Sequence, residues 1–373
     1  MQDHQLRVLC APDKLRGALT ATDAATALAA GVNDAGHLAV EHPIADGGEG
    51  SRDAILAAVP GSRLVPVRAA DALGRPNHTA YGMLPDRTAV VEAADVIGLA
   101  ALSPAQRDVL AASSAGLAAP VKAAVAADAR RIVVLLGGTA NMDGGLGLLV
   151  ALGADARDRG GDVLSGTGRD LTRIAALDLS PAQQALTGID LVVATDVRSP
   201  LQGPDGAAHL FGPQKGADPD TVMALDTGLH HLAKLLGAAS YGPGAGAAGG
   251  LGAALRAIGG RIVGGADLVL RLTGFDNAMK EASLCITAEG KVDAGTSAGK
   301  AVSAVLAASR RADVPCIILG GAVEDDRDLY AAGAAAVLPI GRQPQPLDAA
   351  LASAFTDLRQ TARAVISLAH SVT

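Results

Sequence analysis

The chain has 373 residues, of which 49% are hydrophobic, 18% charged and 2% aromatic, and it carries a net charge of −7 at pH 7. Such a length suggests about two domains, and ample apolar content without a long run of like charge excludes disorder. The negative charge, the absence of Trp and the scarcity of aromatics exclude a nucleic-acid surface, and no apolar stretch nears the roughly 18 residues that span a bilayer.

The first residues lack a basic region followed by an apolar one, so a cytoplasmic protein with a small-molecule ligand is expected. Cys10, Cys285 and Cys316 each lie in or beside an apolar run and read as buried, reduced thiols.

In chain order, β-rich runs fall at residues 7–10, 64–67, 88–92, 131–136, 191–194, 284–287, 315–319 and 336–340, with alanine-rich helical segments between them. This alternation predicts a mostly parallel, layered α/β architecture. The first helix is signalled by Thr20 and Asp23 as a capping box, propagates through 24–30, and is expected to stop at Gly31. Its N-terminus should face residues 13–17, where the helix dipole favours an anion. At the far end, Leu347, Leu351, Phe355, Leu358 and Val365 form a helical apolar stripe expected to pack on the core.

Acidic and glycine residues follow these strands: Asp13, Glu92, Gly137 with Gly138, Asp196, Glu289 with Gly290, and Gly320 with Gly321. Ligands of open parallel sheets bind outside the carboxyl ends of strands, so these positions can line one cleft. The turn Asp46-Gly47-Gly48-Glu49-Gly50 enters a helix, yet its two carboxylates would repel a phosphate unless a cation intervened. Mg²⁺ or substrate hydroxyls are therefore its expected partners. Residues 137–145, GGTANMDGG, repeat the pattern of strand, glycine pair, polar groups and helix, and suit phosphate contact through bare backbone N–H groups.

Residues 195–216, TDVRSPLQGPDGAAHLFGPQKG, place Asp196 at a strand end and Lys215 beside a glycine. Only seven lysines occur, and Lys215 and Lys300 adjoin glycines while Lys14 lies three residues before Gly17, a combination suited to phosphate. The stretch 244–249 matches G-x-G-x-x-G but follows no clear strand, and residues 260–267 do not read as a strand ending in a ribose-binding acid. Walker A spacing fails around Lys300, because Ala294 stands where glycine is required and Ala301 where Ser or Thr is required. No zinc spacing or G-x-S-x-G elbow occurs either.

Taken together, six segments in order resemble the bacterial glycerate kinase family that phosphorylates the 2-hydroxyl. They are APDKLRGALTA at 11–21, PIADGGEG at 43–50, GGTANMDGG at 137–145, the segment from 195 to 217, PGAGAAGGLGAAL at 243–255 and ITAEGKVDAGTSAGKA at 286–301. The resemblance implies two α/β domains with a cleft between them, at least one with a mostly parallel Rossmann- or flavodoxin-like sheet. One domain would be built from residues 1–66 and 283–373, and the other from 67–282. It also implies ATP, Mg²⁺ and D-glycerate as ligands, and it leaves monomer or homodimer open.

On that footing Asp196 is expected to orient or deprotonate the acceptor hydroxyl, with Lys215 and either Arg16 or Lys14 balancing negative charge. Asp13, Asp46, Gly47, Gly48, Glu49 and Asp293 are expected at the acid substrate. Gly137, Gly138, Thr139, Asn141, Asp143, Gly144, Gly246 and Lys300 are expected at the nucleotide, and Asp46 and Glu289 at Mg²⁺. The chain departs from the family's usual pattern at Met142, Ser199 and Ala288, where a polar residue, Asn and Gly are usual, and at Lys14 to Gly17, where Ser-Phe-Lys-Gly is usual. These departures keep a kinase for another small hydroxy acid or sugar acid, or for the 3-hydroxyl of glycerate, as the alternative. A nicotinamide-dependent oxidoreductase rests only on the G-x-G-x-x-G match, and a catalytically silent binder of acidic metabolites is the remaining alternative.

Overall fold

The computed structural model describes residues 5–293, 296 and 301–371. Two units divide the chain, one comprising Met1–Asp46 with Ala266–Thr373 and the other Gly47–Gly265. Both are α/β, as the strand and helix alternation predicts.

The first unit holds a five-stranded sheet in the order β13-β12-β11-β1-β2, with every pairing parallel. Its strands are β1 (Arg7–Cys10), β2 (Leu38–Glu41), β11 (Leu284–Val292), β12 (Cys316–Val323) and β13 (Ala334–Pro339). This is the flavodoxin-like order, and strand order reverses between β1 and β11. Side chains alternate between faces. Val8, Cys10 and Ile286 pack on one face with Leu28 and Leu358, while Leu9, Cys285 and Ile318 pack on the other with Phe275 and Val305. All three cysteines are buried and free, and burial pushes the Cys10 thiol up to about 12, so they act as small apolar residues at the sheet centre.

The helix Ala21–Asp34 begins as expected, with the Asp23 N–H donating to Thr20 Oγ1 at 3.1 Å, but it does not stop at Gly31. Gly31 lies inside it because a Cβ there would stand 2.2 Å from the Arg359 carbonyl oxygen of the helix Leu347–Ser371. The same close approach changes the C-terminal stripe: Ala354, Leu358, Ala362 and Ile366 are buried, whereas Leu347 is 71% exposed. Ala362 faces Gly31, where a larger residue would hold the helices apart.

The second unit holds the sheet β10-β9-β6-β5-β4-β3, formed by β3 (Arg63–Ala70), β4 (Pro76–Met83), β5 (Thr88–Glu92), β6 (Arg131–Leu135), β9 (Asp190–Ala194) and β10 (Arg261–Val263). The last four run parallel, and β3 and β4 add an antiparallel edge. A separate ribbon pairs β7 (Asp155–Asp158) with β8 (Ile174–Asp178). Residues 261–263 are thus a strand despite their unpromising sequence, since pairing to β9 compensates for the short run.

The unit breaks fall at 46/47 and 265/266 instead of 66/67 and 282/283. The helix Ser51–Ala58 belongs with the second unit because the Glu92 carboxylate accepts the N–H groups of Gly50 and Arg52, at 2.9 and 3.0 Å, and Leu56 lies against Gly82. Helices Gly265–Leu272 and Phe275–Lys280 contribute Leu270, Phe275 and Met279 to the core around Leu9 and Cys285. Among the described residues, no helix is long and apolar enough to cross a membrane.

In the first unit His42 is 8% exposed, shares a 2.9 Å hydrogen bond with Thr273 Oγ1 and meets Phe275 edge-on. Burial pulls its imidazole from 6.5 to about 4. The folded state therefore holds this ring neutral while the unfolded state protonates it. Its favourable contribution is complete above pH 6.5 and declines as pH falls toward 4, by about 3 kcal/mol at most. Urea unfolding of wild type and His42→Gln at pH 7.5 and 4.5 should show their stability difference shifting by most of that amount, and a pH-independent difference would contradict it.

Candidate active site

In the first unit, residues after β1 turn beneath the carboxyl end of β11. The Asp13 N–H donates to the Ala288 carbonyl at 2.8 Å, and the Ile44 N–H donates to the Pro12 carbonyl at 3.0 Å. Gly290 lets the backbones meet, since a Cβ there would stand 3.0 Å from the Arg16 nitrogen. Asp13, Lys14, Arg16, Asp46 and Glu289 consequently belong to one neighbourhood at the strand-order reversal, where ligands of such sheets bind.

The carboxyl of Asp13 is raised to about 7, first by burial and then by the charges of Asp46 and Glu289. The Lys14 N–H, donating to Oδ1 at 2.7 Å, and the Lys14 ammonium oppose that rise. Arg16 is exposed. Asp293 sits one residue past β11 and its N–H donates to Thr296 Oγ1 at 3.1 Å, while Lys300 lies outside the described residues. Ala288 is fully buried in the core, so its methyl fills space under the sheet and is not part of the ligand face.

In the second unit, several strand ends converge on glycine backbone. A Cβ at Gly47 would stand 2.7 Å from the Gly265 Cα, and one at Gly137 would stand 2.8 Å from the Gly48 Cα. Asp196 follows β9 and its Oδ1 accepts the Gly265 N–H at 2.8 Å. Gly47 and Gly48 therefore act by close approach of backbone to backbone, Glu49 is exposed, and Glu92, which could have lined a cleft, is spent on the helix cap.

Behind the turn after β6 lies a buried polar network. Asp143 is fully buried and accepts five hydrogen bonds of 2.7–3.2 Å, from the Ser114 N–H and hydroxyl, Asn141 Nδ2, and the N–H groups of Gly145 and Gly147. Asn141 Nδ2 also reaches the Ala248 carbonyl at 3.1 Å. Lys215 is only 3% exposed and donates from Nζ to the Asn141 carbonyl at 2.7 Å; burial lowers its pKa to about 8, against the pull of Asp143. Lys215 and Asp143, expected at substrate and nucleotide, are both buried inside the protein, where the charge of the carboxylate partly offsets the burial of the ammonium.

Gly144 and Gly246 are also committed internally. The Gly144 N–H donates to the Gly249 carbonyl at 2.9 Å and the Gly246 N–H to the Ser199 carbonyl at 3.1 Å, while a Cβ at Gly246 would stand 2.1 Å from the Pro200 oxygen. The G-x-G-x-x-G run is thus a packing device, and Ala248, Gly249 and Gly250 take left-handed conformations to cross the 141–144 backbone. That leaves Gly137, Gly138, Thr139 and Asn141 as the nucleotide candidates of this unit. Thr139 Oγ1, Asn141 Oδ1 and Ser199 Oγ are buried without a hydrogen-bond partner in the protein. Met142 is fully buried in the core, so its apolar side chain costs the site nothing.

Ser114 and Arg107, the latter donating from Nη1 to the Gln214 carbonyl at 3.1 Å, were not anticipated from sequence. Ser114 meets Asp143 across 29 positions, and no local pattern announces such a partner. Among the described residues, no group of three or more His, Cys, Asp or Glu is gathered to hold a metal ion.

Residues 8–370 match the Glycerate kinase family. The chain is 35% identical to Glycerate kinase of Bacillus subtilis (strain 168) and 32% identical to Glycerate 2-kinase of Escherichia coli (strain K12), covering 96% of each chain in both cases. It superposes with a TM-score of 0.84 on a crystal structure described as glycerate kinase 2 from Salmonella typhimurium LT2, at 33% identity, covering 98% of this chain and 99% of that one.

The buried network has a testable energetic signature. Asp143→Ala leaves five buried donors without their acceptor and removes the anion whose charge favours the Lys215 ammonium, and should lower unfolding stability by about 3–5 kcal/mol. Adding Lys215→Met to it should recover part of the loss. Chemical denaturation of the three proteins checks this, and a cost below about 1 kcal/mol for Asp143→Ala would show that the network is dispensable.

Proposed function

Since the chain belongs to the glycerate kinase family, and so is a phosphotransferase with an alcohol group as acceptor, we propose that it transfers the γ-phosphoryl group of ATP to the 2-hydroxyl of D-glycerate, giving 2-phosphoglycerate. The observation that carries this reading is the placement of Asp196 at the carboxyl end of β9, with Oδ1 fixed by the Gly265 N–H. A carboxylate oriented in this way suits a hydroxyl that must lose its proton as the O–P bond forms. Naming of one relative as a glycerate 2-kinase supports the regiochemistry.

The reaction needs positioning and charge neutralisation more than covalent help. Asp196 accepts the proton of the attacking hydroxyl. Lys14 and Arg16 meet anionic charge, while Asp13, Asp46, Glu49 and Asp293 hold hydroxyl groups of the acid. Gly137, Gly138, Thr139 and Asn141 offer backbone and polar side-chain atoms to the nucleotide phosphates, with Lys300 a further cation for them.

Asp46 and Glu289 fit Mg²⁺ as hard oxygen donors. Their charge helps raise Asp13 to about 7, a repulsion that a cation would relieve. Mg²⁺ is commonly held by one or two carboxylates with waters and phosphates, so a preassembled group of three acids is not required. Held there, it would supply positive charge to offset the negative charge of the phosphate groups.

Ser199 favours a second reading. Its buried hydroxyl has no protein partner and stands where the family usually carries the larger Asn, and the smaller side chain would suit a larger acid such as four-carbon erythronate.

Incubation with ATP, Mg²⁺ and each acid, followed by phosphorus NMR, separates these readings. 2-Phosphoglycerate as the preferred product supports the first, a faster reaction with erythronate supports the second, and no phosphorylated acid from either would overturn both. Asp196→Asn should lose about 10²–10⁴-fold in kcat with nucleotide affinity little changed. Equal losses in both would assign Asp196 to binding.

A further inference from the structure

We propose that Lys215 is a positioning residue for the nucleotide: its ammonium, inside the protein, pins the Asn141 carbonyl and thereby fixes the 137–141 turn at the carboxyl end of β6. The proposal rests on the reading that this turn meets nucleotide phosphates, and it replaces a direct role for Lys215 at the transferring group.

Three observations converge on it. With 3% exposure, Lys215 presents no face to a ligand, and its Nζ makes a single hydrogen bond, to the Asn141 oxygen at 2.7 Å. The turn is held on its other side by residues 97–99: the Ala140 N–H donates to the Ile97 carbonyl at 2.9 Å and the Leu99 N–H to the Gly138 carbonyl at 2.7 Å. Lys215 therefore supplies a tether at the Asn141 main chain, across 74 positions of sequence, beside those that the Asn141 amide makes to Asp143 and Ala248.

Lys215 is itself well anchored. Arg107 Nη1 donates to the neighbouring Gln214 carbonyl, and a Cβ at Gly216 would stand 2.7 Å from the Arg107 oxygen, so the 213–216 segment is seated against Arg107. A charge-assisted hydrogen bond away from water is stronger than a neutral one, which makes this tether stiff. Release of the ammonium would leave the Asn141 carbonyl buried without a donor, and the turn would relax toward other partners.

The asymmetry of the network makes the test practicable. Asp143 takes all five of its hydrogen bonds from groups other than Lys215, so loss of the ammonium leaves that anion solvated by the protein. Lys215→Met should accordingly fold, and Lys215→Gln, which keeps a shorter donor, is the second variant.

Hydrogen exchange and kinetics together decide the matter. For Lys215→Met, amide exchange should accelerate in residues 137–142 and remain as in wild type in the helix Pro219–Leu236. The KM for ATP should rise about ten- to a hundredfold while kcat and the KM for the acid move little, with Lys215→Gln intermediate. Unchanged exchange in the turn would overturn the proposal, as would a kcat loss of about a hundredfold at unchanged KM for ATP, which would return Lys215 to the transferring group. If wild type phosphorylates no acid, the functional reading fails on its own, and exchange with ATP binding by calorimetry still decides the role of Lys215.

Discussion

The burial of the Asp143 carboxylate is the constraint on which the ligand-facing loops of the second unit depend. A charge with no access to water must be solvated by the protein, and here Ser114 and the stretch carrying Asn141, Gly145 and Gly147 do so from two segments. Each donor can reach the carboxylate only if its backbone runs where it does. Asn141 then passes the constraint outward, to Ala248 through its amide and to Lys215 through its carbonyl. One buried anion thus coordinates the turn after β6, the left-handed crossing at 248–250 and the segment carrying Lys215.

Glycine supplies the complementary half of this design. Gly249 passes so close to the Asn141 carbonyl that a Cβ would stand 2.2 Å from its oxygen, and Gly250 would press on Gly144 at 2.6 Å. Where the network needs a backbone at a given place, the absence of side chains allows it to be there. Polar fixation and steric permissiveness are inseparable at this site, and a glycine-rich sequence with a few buried polar anchors is the economical way to write it.

Much of the fold was legible because parallel strands buried on both faces read as short, continuous apolar runs, as RVLC and RIVVL do. What escaped was set by partners remote in sequence. Residues 76–83 carry Pro, Asn and His at one end and only become a strand beside β3. Gly31 carries the signal of a helix stop, yet it serves the packing of a helix more than 300 positions away. At the site, Asp196 and the glycine turns stood out through their position after strands. The inward aim of Lys215 was invisible, because a Lys-Gly pair looks the same whether the ammonium faces a phosphate or a buried carbonyl.

The first unit is discontinuous, and this shapes how the polypeptide must come into being. On the ribosome, β1 and β2 are made with their helix, but β11, the strand that completes the centre of their sheet, is synthesised roughly 270 residues later. At about 5–20 residues per second, that is an interval of tens of seconds. Throughout it Leu9, Cys10 and the apolar face of the helix Ala21–Asp34 have no finished core to enter, while the contiguous Gly47–Gly265 can collapse on its own. The segment carrying β1 and β2 is therefore made before the Gly47–Gly265 unit yet completes its core after it.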